Sequence, residues 1–269
     1  MRMIVLCAML GLLSACASAP NAPATDEFVF VAPLQSVKQA RHVRIEVAAD
    51  RAALRGVRRI AIPQVRLSSN LLAADITPRQ QALLTNAAGR AACTELAKRF
   101  ELSPPTAASD AEVQLVLTAI RSSSATASGL SALVGIVVPG PSRLPLGLGG
   151  LAGQAQAVGA DGQTLLSYRW ARGARSVAED ASMSRIGDAW QLARMFGRDV
   201  GRELAAQLGP KADRRRLLSA DTRRTGRALC AQVFGTTPLI GRGLGKLLPL
   251  SPEAMDAGAP LQEADPDVN

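Results

Sequence analysis

Aromatic residues make up only 3% of this 269-residue chain. A core built from it must therefore consist of Ala, Leu, Val and Ile, which its 48% hydrophobic content supplies. Histidine occurs once, at His42. A single imidazole without a dense carboxylate cluster argues against a hydrolytic metal site. Spacing assigns no Ser or Cys to His42, so it reads as a solvated strand-end residue and not as a catalytic base. Cysteine occurs four times, at positions 7, 16, 93 and 230. Two lone cysteines in the body of the chain, without histidine partners, do not make a metal site. Apolar runs are short as well, and none reaches the about 20 residues that cross a bilayer as a helix.

What is present begins at the first residues. Arg2 precedes an apolar run from Met3 to Leu13, and Leu13-Ser14-Ala15-Cys16 follows. A basic n-region, a short h-region and small residues before the cut make a secretory leader. The Cys directly after the small residues resembles the bacterial lipobox. That resemblance implies acylation of Cys16, removal of residues 1–15, and attachment to a membrane by lipid. A plain secreted protein or a single transmembrane anchor are the alternatives. Several acyl chains together would hold the protein stably, because each buried CH₂ contributes about 0.8 kcal/mol. Ala17 follows, where an Asp is the usual inner-membrane retention signal, so the expected location is the periplasmic face of the outer membrane.

Cys7 leaves with the leader and Cys16 takes the lipid, so Cys93 and Cys230 remain in an oxidising compartment. Their pairing would tie the C-terminal segment to the domain. Two separately buried thiols are the other arrangement open to them. The net charge is +9, and all but four of the 31 basic residues are Arg. Past a secretory leader, nucleic acid is not the expected partner. Anionic lipid, lipopolysaccharide phosphate or an acidic envelope protein suits the compartment better.

Residues 16–27 are small, polar and proline-containing, and read as a flexible tether. Phe28 to Val31 is an apolar patch. His42 to Val47 alternates and predicts a strand. Gly56 to Leu67 predicts a second, with Pro63 forcing an edge or a bulge. Thr77-Pro78-Arg79-Gln80 starts a helix through a capping box and proline at the first position. Leu84, Ala88, Ala92 and Leu96 form its stripe, Cys93 and Phe100 flank it, and it ends before Pro104-Pro105. Glu112 to Ile120 is the strongest strand, with Val113, Leu115, Leu117 and Ala119 on one face. Asp161-Gly162 joins two strand-like runs, 154–158 and 164–171, as a hairpin. Arg185 to Leu208 predicts a second helix capped by Ser184, with Gly197 in its buried stripe suggesting close approach to a sheet. The fold class is α+β, a small mixed or antiparallel sheet with two helices packed on one face. The organisation is then a domain over 28–210, a basic, partly helical extension over 211–250, and a disordered tail over 251–269.

These features resemble a proteobacterial lipoprotein family of unknown function, the DUF3313 type. The residues that carry the likeness are the lipobox, the strand Glu112 to Ile120, the Gly-rich stretch into Asp161-Gly162, and Ser184-Arg185-Ile186-Gly187-Asp188-Ala189. The family usually has Trp where Ile186 stands. The likeness spans about Phe28 to Leu208 and implies an envelope lipoprotein with no established activity. At fold level the layout is also similar to small α+β domains of periplasmic lipoproteins that regulate cell-wall synthases or build secretion pores.

No cofactor is expected. Gly147 to Ala152 mimics a dinucleotide fingerprint but follows a Pro-rich loop instead of a strand, and Gly245-Lys246 lacks the rest of a phosphate loop. Asp180 and Asp188 flank a helix start and read as capping or dipole residues. Arg214, Arg215, Arg216, Arg223, Arg224 and Arg227 make a basic, amphipathic stretch. It reads as a solvated face, with contact to anionic lipid headgroups as the functional alternative. The expected function is that of a non-enzymatic accessory or binding module of the cell envelope. The rival is an oligomeric pore or export component that assembles through the apolar Gly-rich segment 129–153.

Overall fold

A computed structural model describes residues 18–21, 28, 30, 33–72, 76–122, 149–174, 184, 186–208, 218–236 and 251–256. Eight strands form one mixed sheet among the described residues. They are β1 (Gln35–Ala40), β2 (Val43–Ala49), β3 (Arg59–Ala61), β4 (Arg66–Leu67), β5 (Glu101–Ser103), β6 (Ala111–Arg121), β7 (Gly150–Gly159) and β8 (Thr164–Gly173). The sheet order is β1-β2-β8-β7-β6-β3-β5, with β4 also on β6. The β1 to β6 side is antiparallel, whereas β3 and β4 run parallel to β6, and β5 parallel to β3. The helices are α1 (Arg51–Leu54), α2 (Ser69–Leu72), α3 (Pro78–Leu96), α4 (Gly187–Gln207), α5 (Ala220–Phe234) and α6 (Pro252–Met255).

Register explains how the helices sit. Trp170 of β8 pairs with Gly153 of β7, which pairs with Leu117 of β6. The next rows are Tyr168, Ala155 and Leu115, then Leu166, Ala157 and Val113. Each row is large, small, large, so β7 forms a shallow trough. Phe196 of α4 fills it. A Cβ on Gly153 would lie 2.9 Å from the Phe196 ring, whose centroid is 5.5 Å from that of Trp170. Helix α3 packs beside α4, and both contribute to one core with the sheet.

The capping box forms as expected: Thr77 Oγ1 accepts from Gln80 N and Gln80 Oε1 from Thr77 N. The Asp161-Gly162 turn also forms, with Gly162 at φ 82° and Asp161 Oδ1 accepting from Gln163 N at 3.0 Å. Pro63 interrupts the predicted second strand and splits it into β3 and β4. Ile60 is opposite Ala111 and Arg66 opposite Val116, so one extra residue is taken up at the break. The strand start is fastened by Asp110, whose carboxylate accepts from Arg58 N at 2.7 Å and Arg59 N at 2.8 Å. Those two amides hold its carboxyl below the usual range.

Several expectations are corrected. Ala119 does not share a face with Leu117, because a bulge at Thr118 shifts the register. Gly197 does allow close approach, but to α3 and not to a sheet, since an added Cβ would overlap the Ala88 carbonyl oxygen. Helix α4 starts at Gly187, and Ser184 Oγ accepts from Ile186 N at 3.3 Å without capping the helix. The strand β1 was not anticipated. It is exposed along its whole length, so no alternation marks it.

Candidate functional site

Cys16 lies outside the described residues, and the chain is followed from Ser18. Residues 18–20 do not hang free as a tether. The Arg121 guanidinium donates to Ser18 O, Ala19 N donates to Arg41 O at 2.9 Å, and Pro20 lies against Gly150, 3.0 Å from where a Cβ would be. These contacts place the lead-in at one end of the sheet, where the β1–β2 turn, the end of β6 and the start of β7 meet. Further on, Arg66 stands 6.0 Å over the Phe28 ring and Arg169 5.1 Å over the Phe30 ring. Arg66 pairs with Val116 and Arg169 with Gln154, both off the phase that faces α4. Of the apolar patch, Phe28 and Phe30 thus reach the sheet face away from α4.

The end that receives residues 18–20 is basic. Lys38, Arg41 and Arg44 are exposed, and no carboxylate occurs between Gln35 and Arg44. The carboxylates nearby are already engaged. Asp199 pairs with Arg172 at 3.2 Å and accepts from Trp170 Nε1 at 3.0 Å. Asp188 is fully buried and accepts from Gly149 N at 2.8 Å. Its dipole-side placement was expected; its grip on the first residue before β7 was not.

The opposite end holds a cleft of about 750 Å³ lined by Gln35, Asp50, Arg51, Gln163, Thr164 and Gln207 among others. Arg51 Nε donates to Gln207 Oε1 at 2.8 Å across it. Asp50 caps α1 by accepting from Ala52 N and Ala53 N. Tyr168 is buried in the middle of β8; burial, then the charges of Asp199 and Glu203, push its hydroxyl far above the ordinary range, so it stays protonated. No group of three metal-binding side chains occurs among the described residues. No helix among them is long and apolar enough to cross a membrane.

The C-terminal arm is where the structure adds most. Cys93 of α3 and Cys230 of α5 form a disulfide with Cα atoms 5.6 Å apart. Around it α5 runs antiparallel to α3: Gly226 lies at Ala97 and Phe234 at Gly89. Of the basic stretch, Arg223, Arg224 and Arg227 lie on α5, and Arg224 pairs with Asp221 at 3.2 Å. Arg214, Arg215 and Arg216 lie outside the described residues, as do 129–148 of the apolar segment; its last residues, 149–153, enter β7.

The predicted disorder of 251–269 is corrected for residues 251–256. Asp256 is 1% exposed, pairs with Arg90 and accepts from Trp190 Nε1 at 3.2 Å. Arg90 also donates to Phe234 O at 3.0 Å, so one guanidinium joins α3, α5 and the tail. Glu253 accepts from Gln80 Nε2 at 3.0 Å and Ser184 Oγ at 3.2 Å. Sequence reasoning missed this cluster because its members are far apart in the chain and individually polar. Arg90, set among the alanines in the middle of α3, was the available signal.

These elements define an α+β domain with α3 and α4 over one sheet face and a disulfide-clasped C-terminal arm. The chain belongs to the family described as "Protein of unknown function (DUF3313)", which matches residues 27–200. No curated protein matches it. Among solved structures it is similar to the PelC dodecamer from Paraburkholderia phytofirmans, seen in two crystal forms, one of a point variant. Identity is 10% in both, covering 60% of this chain and 96% of that chain, with TM-scores of 0.38 and 0.37.

Proposed function

We propose that this protein is a lipoprotein of the bacterial envelope, acylated at Cys16, held on the periplasmic face of the outer membrane, and acting as a non-enzymatic accessory or binding module. The observation that carries this reading is the Cys93–Cys230 disulfide. It gives the two cysteines left after the leader a use that suits an oxidising compartment. The leader ending in Leu13-Ser14-Ala15-Cys16 supports the same route. The non-enzymatic part is supported by how the buried carboxylates are spent: Asp188 holds Gly149, and Asp256 holds Arg90 and Trp190. An envelope protein is the expected partner, and the cleft beside Arg51 and Gln207, lined by polar and apolar side chains, is a surface to offer it.

Labelling cells with palmitate and fractionating their membranes tests this. The wild type should take up label and sediment with the outer membrane. Cys16→Ser should lose both properties. Unlabelled wild-type protein in the cytosolic fraction overturns the reading.

A further inference from the structure

Acylation at Cys16 would fix more than the compartment, because the chain docks almost immediately afterwards. Ala19 N bonds to the Arg41 carbonyl, and Ser18 O to the Arg121 side chain. Three residue steps separate Cys16 from Ala19, which reach at most about 11 Å. The lipid-bearing residue therefore sits within that distance of the sheet end made by the β1–β2 turn, Arg121 and Gly150. The turn at Asp161-Gly162 is at the other end. Gly150 and Gly159 bound β7, and at 3.3 Å per residue that separation is about 30 Å.

The charges fit this polarity. Lys38, Arg41 and Arg44 are exposed at the near end, in a stretch from Gln35 to Arg44 without a carboxylate. At the far end the charges are mixed, with Arg51, Arg55, Arg58 and Arg59 beside Asp50, Asp110 and Asp161. The more conspicuous basic residues, Arg223, Arg224 and Arg227, are also remote from the lead-in. Because α5 is antiparallel to α3, its first turns lie toward Ala97 and Leu102. Leu102 belongs to β5, which pairs with β3, and β3 pairs with the start of β6.

Resting on the acylation reading, we infer that the β1–β2 end of the sheet is a membrane-facing surface. Lys38, Arg41 and Arg44 contact anionic phospholipid headgroups there, and the cleft at the far end is held toward the periplasm. The tether's reach, at most about 11 Å, is comparable to the screening length, about 8 Å at physiological ionic strength. Several fixed cations at that range favour one orientation of the domain over free rotation about its acyl chains.

The test uses the mature acylated protein reconstituted into vesicles of phosphatidylcholine with phosphatidylglycerol, or of phosphatidylcholine alone. A fluorophore is attached at Gln39→Cys or, separately, at Gln163→Cys, both exposed positions. Lipids spin-labelled on the headgroup act as quenchers. Quenching at position 39 should exceed that at 163 several-fold in the anionic vesicles. That excess should fall in neutral vesicles, in high salt, and in the Lys38→Gln, Arg41→Gln, Arg44→Gln triple variant. Equal quenching at both positions, with the acyl mass present on the Cys16 peptide, overturns the orientation and leaves the lipoprotein reading standing. An excess that survives the triple substitution overturns the headgroup contact. A Cys16 peptide without acyl mass overturns the orientation and the lipoprotein reading together.

Discussion

Two helices pack on α3, and they do so by opposite means. Helix α4 approaches until backbones touch: an added Cβ at Gly197 would overlap Ala88 O, and one at Gly201 would lie 2.7 Å from Glu95 Cβ. It buries a broad stripe that includes Trp190, Phe196, Val200 and Leu204. Helix α5 buries Gly226, Cys230 and Phe234, one residue per turn. One buried phenylalanine contributes about 2–3 kcal/mol, little against the roughly 1–2 kcal/mol per residue of backbone entropy lost on ordering a helix. Close packing thus suffices for α4, while α5 is held by a covalent bond and by the Arg90 bridge from Phe234 O to Asp256. The core and the arm should therefore fail separately.

Gly197→Val should have the largest effect. Its side chain would have to displace the backbone of α3, which cannot repack like a flexible side chain, so the loss should be about 3 kcal/mol or more. Denaturant melts should show the whole domain losing stability; a shift under about 1 kcal/mol would mean that the helices slide apart at little cost. Reducing the disulfide, or replacing Cys93 and Cys230 by Ser, comes next. A closed loop of 137 residues stabilises by about 2–5 kcal/mol through the restricted unfolded chain. Here hydrogen exchange should rise in α5 and at 251–256 while β6, β7 and β8 keep their protection. Equal loss in the sheet would erase the distinction between core and arm. Asp256→Ala is smaller, about 1–3 kcal/mol, because Arg90 loses its carboxylate but remains partly open to water. It should release the tail and leave the disulfide and α5 in place, which peptide-level exchange resolves.

The same contrast decides what could be read from the chain. The core was legible where burial writes a period: Leu84, Ala88, Ala92 and Leu96 in α3, Leu166, Tyr168 and Trp170 in β8, and the Thr77 to Gln80 cap. It was illegible where neither face is buried, as in β1, whose Gln-Ser-Val-Lys-Gln-Ala carries no alternation. Gly197 announced a close approach, but a glycine does not name its neighbour, and the neighbour is a helix backbone. The arm was half legible: two cysteines left over suggested a tie without deciding it. The docked tail was hidden because polar Ser251 to Asp256 looks solvated until Arg90 and Trp190 are brought to it by α3 and α4. The basic residues at the lead-in end of the sheet were hidden for another reason. Lys38, Arg41 and Arg44 are unremarkable in a chain so rich in Arg, and they become a set only when Ser18 and Ala19 are seen at their end of the sheet.

The smallest expected effect separates the tail from the rest of the arm by acid. Burial alone would raise the Glu253 carboxyl, but hydrogen bonds from Gln80, from its own backbone, and from Ser251 and Ser184 outweigh burial and hold it below its ordinary value of 4.5. A carboxyl lowered in the folded state stabilises that state fully above its unfolded value, and the benefit fades as pH falls through the folded value. Docking of 251–256 should therefore be stronger in the wild type than in Glu253→Gln at neutral pH. The gap should begin to close as pH falls toward about 4.5, where the unfolded carboxyl is half protonated. Because Glu253 is partly exposed, the gap should be smaller than that produced by Asp256→Ala. Trp190 emission can follow undocking, since its indole N–H bonds to Asp256, with a Trp170→Phe background to remove the other tryptophan. Wild-type and Glu253→Gln curves that stay parallel down to the acid transition would show that the Glu253 carboxylate does not hold the tail.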